Sequence, residues 1–387
     1  MISNNIHGNI VAVVDVWQLF SRLARHKNVW KTLNRHVSNS MTILRIWDEA
    51  VACCLAEPLQ KSETFMSGLH LDINKRSYNH VPGECGVIPN LPGIISLTTS
   101  TSGRLYMTTN SKDGLSDNTH VFTFYSDNRT AREIEIRGAP TKWKLKPGAI
   151  SVASEPNNPK IFVVNRRTGS VDIFETNNQN DMWNYHKSFK NEKFEGILDL
   201  SASSPNSFYY IKSSIFGDIF ALNLFERTFS ISTGEICFAS GKLSNHVKYI
   251  SSPTGIVFDS LRKSIFVTSF ARNSIFVMKL EKNIRIAFSK EYDLGCSPTS
   301  IWKDFDGSFL ITCHPVRFRY LLHAMDAMSS SPSMVLRVVV PTDESKELII
   351  TQLYSNDGAT ISQANMTVRA GRSLLISNGN KILNCHL

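Results

Sequence analysis

From residue 93 to the C-terminus one unit recurs six times: a small or Gly residue, an alternating apolar run, a polar turn, a stronger apolar run, a second turn and a third run. The units open with GIISL at 93–97, AISV at 149–152, GILDL at 196–200, GIVF at 255–258, SIW at 300–302 and, in the last, MTV at 366–368 after Thr360-Ile361. The third runs include SVDIF at 170–174, IFAL at 219–222, SIFVM at 274–278 and YLL at 320–322. Successive units start about 45 to 60 residues apart, the spacing of propeller blades. A small sheet with two apolar faces cannot hide them alone, and stacking sheets radially buries each against its neighbours. A β-sandwich is the rival, but it does not require a steady period. The expectation is an all-β protein, a six-bladed β-propeller over 76–387 with a partly helical N-terminal extension over 1–75.

Composition agrees with a folded chain. Of 387 residues, 42% are apolar and 19% charged, too apolar for wholesale disorder. No run of about 18 uncharged apolar residues is present, so no clear membrane-spanning helix is expected. The net charge of +9 is scattered and forms no dense basic stripe. It suits an acidic membrane surface or no particular partner, and it argues against nucleic acid. Residues 22–35 carry Arg22, Arg25, Lys27, Lys31 and Arg35 without an acid, with Leu23, Trp30, Leu33 and Val37 at helical spacing. This is a basic amphipathic helix, lying on a membrane surface or packed on the protein body. The apolar run at 10–14 is cut by Asp15 and lacks preceding basic residues, so it is a poor export signal and reads as a short buried helix or, alternatively, as a signal-anchor remnant.

A ring must close, and the simplest closure lends a strand from the start of the domain to the last blade. Cys85 precedes the first unit and Cys385 ends the last. If both belong to one blade, a Cys85–Cys385 disulfide would clip the seam; the alternative is two unrelated buried thiols. The seven cysteines show no CxxC spacing, which argues against structural zinc. Cys313-His314 is no nucleophile–base pair, because neighbouring residues on a strand face opposite sides, and Cys313 is read as a buried thiol. GxSxG, HExxH, P-loop and GxGxxG motifs are missing. Asn128 and Asn365 open glycosylation sequons, usable only if the chain enters the secretory route.

Several segments resemble the paraoxonase/arylesterase family: MVLRV at 334–338, TQLYSNDG at 351–358, ILNCHL at 382–387, GSFLITCHP at 307–315 and SPTGI at 252–256. RSYNHVPGEC at 76–85 is similar to the lead-in of nematode members. The resemblance implies a six-bladed propeller, a disulfide of the kind proposed above, two calcium ions in the central tunnel and hydrolysis of lactones and aryl esters. Calcium there would polarise the ester carbonyl, a role that needs hard oxygen ligands from several blades.

Position by position, the resemblance places the family's ligands elsewhere in chemistry. Its Glu-Asp pair on the first blade falls at Ile95 and Ser96, and its Asn-Asp pair on the third at Leu198 and Asp199. The Asn of the fourth blade falls at Thr254, the Asp-Asn pair of the fifth at Thr299 and Ser300, and the two histidines at Gly148 and Arg166. Asp199 is read as a hydrogen-bonded strand-end residue without a metal or, alternatively, as a remnant calcium ligand, and Arg166, if it points inward, is expected to pair with it in place of a metal. The resemblance to degenerate nematode members implies a non-catalytic binding or chaperone protein of the endoplasmic reticulum or cell surface. Its partner would be a membrane surface or a membrane protein such as an ion channel. The rival expectation is a calcium-dependent arylesterase or lactonase acting on small esters and lactones.

Overall fold

A computed structural model of the protein describes residue 72 and residues 75–387, apart from 89–93, 101–102, 110–120, 126–129, 154–158, 177–181, 213–231, 242, 282–285 and 344. The basic helix expected at 22–35, the strand expected at 219–222 and Asn128 lie outside the described residues.

Six sheets are present, each a meander whose first strand faces a central channel. Blade 1 contains β1 (Ile94–Thr99), β2 (Leu105–Thr109), β3 (Val121–Tyr125) and β4 (Thr130–Glu133). Blade 2 runs β6 (Pro147–Ala153), β7 (Lys160–Asn165), β8 (Ser170–Thr176) and β9 (Met182–Lys190), with β5 (Glu135–Arg137) added in parallel at its outer edge. Blade 3 contains β10 (Ile197–Ser204), β11 (Ser207–Lys212), β12 (Gly234–Ser240) and β13 (Leu243–Ile250). Blade 4 contains β14 (Pro253–Asp259), β15 (Ser264–Ser269), β16 (Ser274–Leu280) and β17 (Ile286–Asp293). Blade 5 contains β18 (Ser297–Lys303), β19 (Phe309–His314), β20 (Ser333–Val339) and β21 (Ile349–Asn356). Blade 6 contains β22 (Met366–Ala370), β23 (Ser373–Ser377) and β24 (Ile382–His386), and its outer strand is Cys85–Ile88 from the other end of the chain.

Two expectations are corrected. Residues 320–322 belong to a helix, α1 (Arg317–Met325), and the third strand of blade 5 is Ser333–Val339. Three apolar residues in a row fit one turn of a buried helix as well as a short strand, and Arg317 decides between them by anchoring the helix start. Thr360-Ile361 stands outside the strands, in the connection that leads into Met366–Ala370.

The apolar core is divided among the blade junctions. Described residues form six buried clusters, each drawing on two adjoining blades. Phe162 meets Phe208 between blades 2 and 3, and Phe266 meets Phe309 between blades 4 and 5. Close approach is needed where inner strands converge: a Cβ on Gly255 would sit 2.8 Å from the Ile301 backbone nitrogen. That contact explains a glycine at the head of the fourth unit.

The seam is closed twice. The outer strand pairs antiparallel with Ile382–His386, setting Cys85 directly opposite Cys385, where a disulfide forms with Cα atoms 4.0 Å apart. The preceding lead-in lies along blade 5: His80 and Ser355 exchange backbone bonds of 2.8 Å in both directions, and Asn79 Oδ1 accepts from Asp357 N at 3.0 Å.

Candidate functional site

The inner strands enclose a channel of about 790 Å³ along the ring axis. Ile95, Ser96, Arg166, Leu198, Asp199, Thr254, Thr299 and Ser300, scattered over 200 residues of sequence, all line it. Gly148 adjoins the lining beside Ala149, and a Cβ there would come within 2.9 Å of Arg166 Nε. The two positions that the family resemblance gives to histidines are thus neighbours in space, and the missing side chain at Gly148 makes room for the arginine.

An inner strand bonds its own sheet on one edge and turns the other towards the next blade, leaving backbone groups there to be satisfied. Channel-lining side chains do this at every junction among the described residues. Ser96 Oγ accepts from Ile150 N (3.3 Å) between blades 1 and 2, and Ser151 Oγ from Ala202 N (3.0 Å) between blades 2 and 3. Between blades 3 and 4, Asp199 Oδ2 accepts from Ile256 N (3.0 Å) and Ser201 Oγ from Phe258 N (2.9 Å). Thr254 Oγ1 donates to Pro298 O (2.9 Å), and Thr299 Oγ1 to Ala364 O (3.3 Å). The last junction is met by Met366 Sδ, which accepts from Leu97 N. Ser300 Oγ bonds Thr312 Oγ1, which in turn donates to Thr367 Oγ1 of blade 6 at 2.8 Å. These polar residues form a belt of hydrogen bonds from blade to blade.

Asp199 is the one acid among the described lining residues. Its Oδ1 accepts from Leu200 N at 2.9 Å, so each oxygen holds an amide, one in its own blade and one in the next. Burial in the ring wall outweighs these bonds and raises its carboxyl to about 7. The expected Arg166–Asp199 pair is corrected: among the described residues no ion pair joins them, and the groups that shift Asp199 are the two amides and desolvation. Arg166 instead sets its Nε beside Gly148, and its backbone N–H donates to Lys146 O at 2.8 Å. Described residues contain no group of three His, Cys, Asp or Glu side chains placed to hold a metal.

Cys313 is also corrected. It is bridged to Cys296, with Cα atoms 5.9 Å apart, within the ordinary range for a disulfide. Cys296 immediately precedes Ser297–Lys303, and the pairing of Pro298 with Cys313 carries the two sulfurs together. His314 is fully buried, its Nδ1 is 2.8 Å from Pro332 O, and its ring packs on Tyr320. Neither residue of the pair is placed for nucleophilic work. Asn365 lies at the start of the blade 6 inner strand and lines the channel, while Thr367 of the same sequon is fully buried.

Sequence reasoning missed Arg317. It is fully buried at the start of α1, donating from Nε to Ser297 Oγ (2.9 Å) and from Nη2 to Phe270 O (3.1 Å) and Asn273 Oδ1. Desolvation lowers its pKa to about 10, offset in part by the charge of Asp72. Its only sequence signal was a basic residue after Cys-His-Pro-Val, which is indistinguishable from a surface arginine.

The fold and its axial channel define a six-bladed propeller clipped by a disulfide between its two ends. The chain belongs to the arylesterase family, whose model matches residues 62–387. It is 28% identical over 344 residues to Mechanosensory abnormality protein 6 of Caenorhabditis elegans, covering 82% of this chain and 90% of that protein. It is 26% identical over 266 residues to Serum paraoxonase/lactonase 3 of Rattus norvegicus, covering 66% of this chain and 73% of that one. Among solved structures, a luciferin-regenerating enzyme matches with a TM-score of 0.50 at 9% identity, covering 79% of this chain and 96% of that chain. This last likeness concerns the fold alone.

Proposed function

We propose that this protein is a family member that works by binding rather than by calcium-dependent ester hydrolysis. One observation carries the reading: the Asp199 carboxylate and the hydroxyls of Ser96, Ser151, Ser201, Thr254 and Thr299 on the channel wall are bonded across blade junctions, and Asn365 Oδ1 is the one buried side-chain oxygen of the described lining without a partner. Calcium takes six to eight oxygens, usually several of them carboxylate or amide. Here one carboxylate, holding an amide on each oxygen, and one amide oxygen, Asn365 Oδ1, stand among hydroxyls bonded to backbone or to each other, far short of that number. These donors do not fit the ion, and no hydrolytic step is assigned to it.

The biological role that goes with this reading is an accessory or chaperone protein of the secretory route, associated with a membrane surface or a membrane protein such as an ion channel. Two disulfides support an oxidising compartment. No helix among the described residues is long and apolar enough to cross a membrane.

The test combines phenyl acetate hydrolysis with thermal unfolding, each in calcium and in EDTA. No calcium-dependent turnover and no calcium-dependent rise in melting temperature are expected. Turnover that EDTA abolishes would restore the arylesterase reading.

A further inference from the structure

At the end of the ring away from α1, the turns between the first and second strands of blades 4, 5 and 6 stand next to one another, at 260–263, 304–308 and 371–372. Leu261 is 89% exposed on the first and Phe305 is 57% exposed on the second. A lone exposed leucine or phenylalanine is ordinary on a protein surface. These two are on adjoining turns that are joined to each other. Asp259 Oδ1 accepts from Leu261 N (3.0 Å) and Asp304 Oδ1 from Phe305 N (2.7 Å), so an aspartate fixes each apolar tip. Arg262 links the turns by donating from Nη2 to Gly307 O (3.3 Å), with its guanidinium 5.7 Å from the ring centres of Phe266 and Phe309. Trp302 meets Phe305 edge-on, with centroids 5.9 Å apart. The corresponding turn of blade 3 has no such tip: Asn206 stands there, and its Oδ1 accepts from Lys187 Nζ (2.6 Å).

The charges around the tips are layered. Asp259 and Asp304 are buried, and the cations that pair with them reach further into solvent: Lys303 (2.9 Å) and Arg262 (3.7 Å) on the first, Arg369 (3.1 Å) on the second. Asp306 is the one exposed acid of the three turns, and Arg337 pairs with it at 2.7 Å. Lys263, two residues after Leu261, and Arg372, on the blade 6 turn, are exposed and have no acid partner among the described residues. Glu281, Asp343, Lys346 and Glu347 stand in the outer connections of blades 4 and 5, further from the axis. The inner turns thus present two apolar tips flanked by two open cations, with most of their carboxylates held underneath.

We propose that this end of blades 4–6 docks on the surface of an anionic lipid bilayer. Leu261 and Phe305 enter the boundary between headgroups and acyl chains, where apolar side chains leave water without a protein partner. Lys263 and Arg372 complement the negative headgroups, an attraction that salt screens. The inference names a face for the membrane association proposed above and rests on that part of the reading. It is independent of the channel wall and of calcium chemistry.

The experiment is sedimentation of the full chain with protein-free vesicles, of phosphatidylcholine with phosphatidylserine and of phosphatidylcholine alone. Binding to the mixed vesicles is expected, weaker on phosphatidylcholine alone and weakening as salt rises. Leu261→Ser with Phe305→Ser is expected to weaken it about tenfold, the scale of partly burying two apolar side chains. Lys263→Gln with Arg372→Gln is expected to remove much of the preference for phosphatidylserine. Met328→Ser, at a residue 91% exposed in the connection after α1 at the opposite end, is expected to leave binding unchanged. All these side chains are exposed, and an unchanged melting temperature shows that each variant is folded. Wild-type affinity in the Leu261→Ser, Phe305→Ser variant overturns this face and leaves membrane association itself standing. Absence of wild-type binding to protein-free vesicles also overturns it, and sedimentation with native membranes alone would then identify a membrane protein as the partner.

Discussion

Blades 1–3 and blades 4–6 are built on the same repeat but held by different forces. In the first half the described junctions are filled with rings. Trp183 lies 5.5 Å from Tyr106 and 5.3 Å from Phe174, and Phe194, Phe208 and Tyr210 continue the cluster into blade 3. In the second half rings are joined by cross-links: both disulfides, the buried Arg317, and ion pairs from Asp259 to Lys303 and from Asp304 to Arg369 that step across blades 4, 5 and 6. The lead-in adds its bonds to blade 5. The half that contains the seam is the half that is cross-linked. A closed ring fails at its joint first, and a covalent bond resists splaying in a way that apolar contact does not.

The largest expected effect comes from opening the seam. Cys385→Ser removes a bridge spanning 300 residues, worth about 6 kcal/mol in the loop-closure model. The urea midpoint should fall strongly, and reducing agent should bring the wild type towards the variant. A midpoint insensitive to both changes would mean that strand pairing alone holds the joint. Next comes the aromatic half: Trp183→Ala should cost about 4 kcal/mol as a buried ring is lost to a cavity. Its loss should persist unchanged under reducing conditions, which separates the two halves by chemistry. A Trp183 deficit that disappears on reduction would merge them.

The smallest effect tests the junction between the halves, where Asp199 bridges blades 3 and 4. Its folded carboxyl is raised to about 7 from an ordinary value of 3.8, so the folded state holds the proton more tightly. The stability from this group is complete below the ordinary value and is lost as pH rises through about 7. Asp199→Asn should therefore flatten the decline in melting temperature across that window. An unchanged slope would show that the carboxyl is not held in the wall as the geometry has it.

Much of the ring was legible in the chain. The recurring strands gave six blades because an exposed two-faced sheet has no stable alternative to stacking, and the Cys85–Cys385 bridge followed from asking how a ring shuts. The channel positions came from the family resemblance, and the structure places most of them on the lining of one channel. The assignment at residues 320–322 failed because three apolar residues do not distinguish a strand from one turn of helix. The Cys296–Cys313 bridge was missed because a pairing seventeen residues apart depends on the register of a hairpin, which the spacing does not reveal. Asp199 and Arg166 were paired by charge; the structure gave the acid to two amides.

The order of residues thus determined the number of blades and the place of the seam, because strand alternation and a steady period are local properties. Only the tertiary structure decided what the side chains of the channel do. Whether a hydroxyl or carboxylate faces an ion, an arginine or the next blade's backbone depends on distances between strands that are far apart in the chain, and those are set when the ring closes.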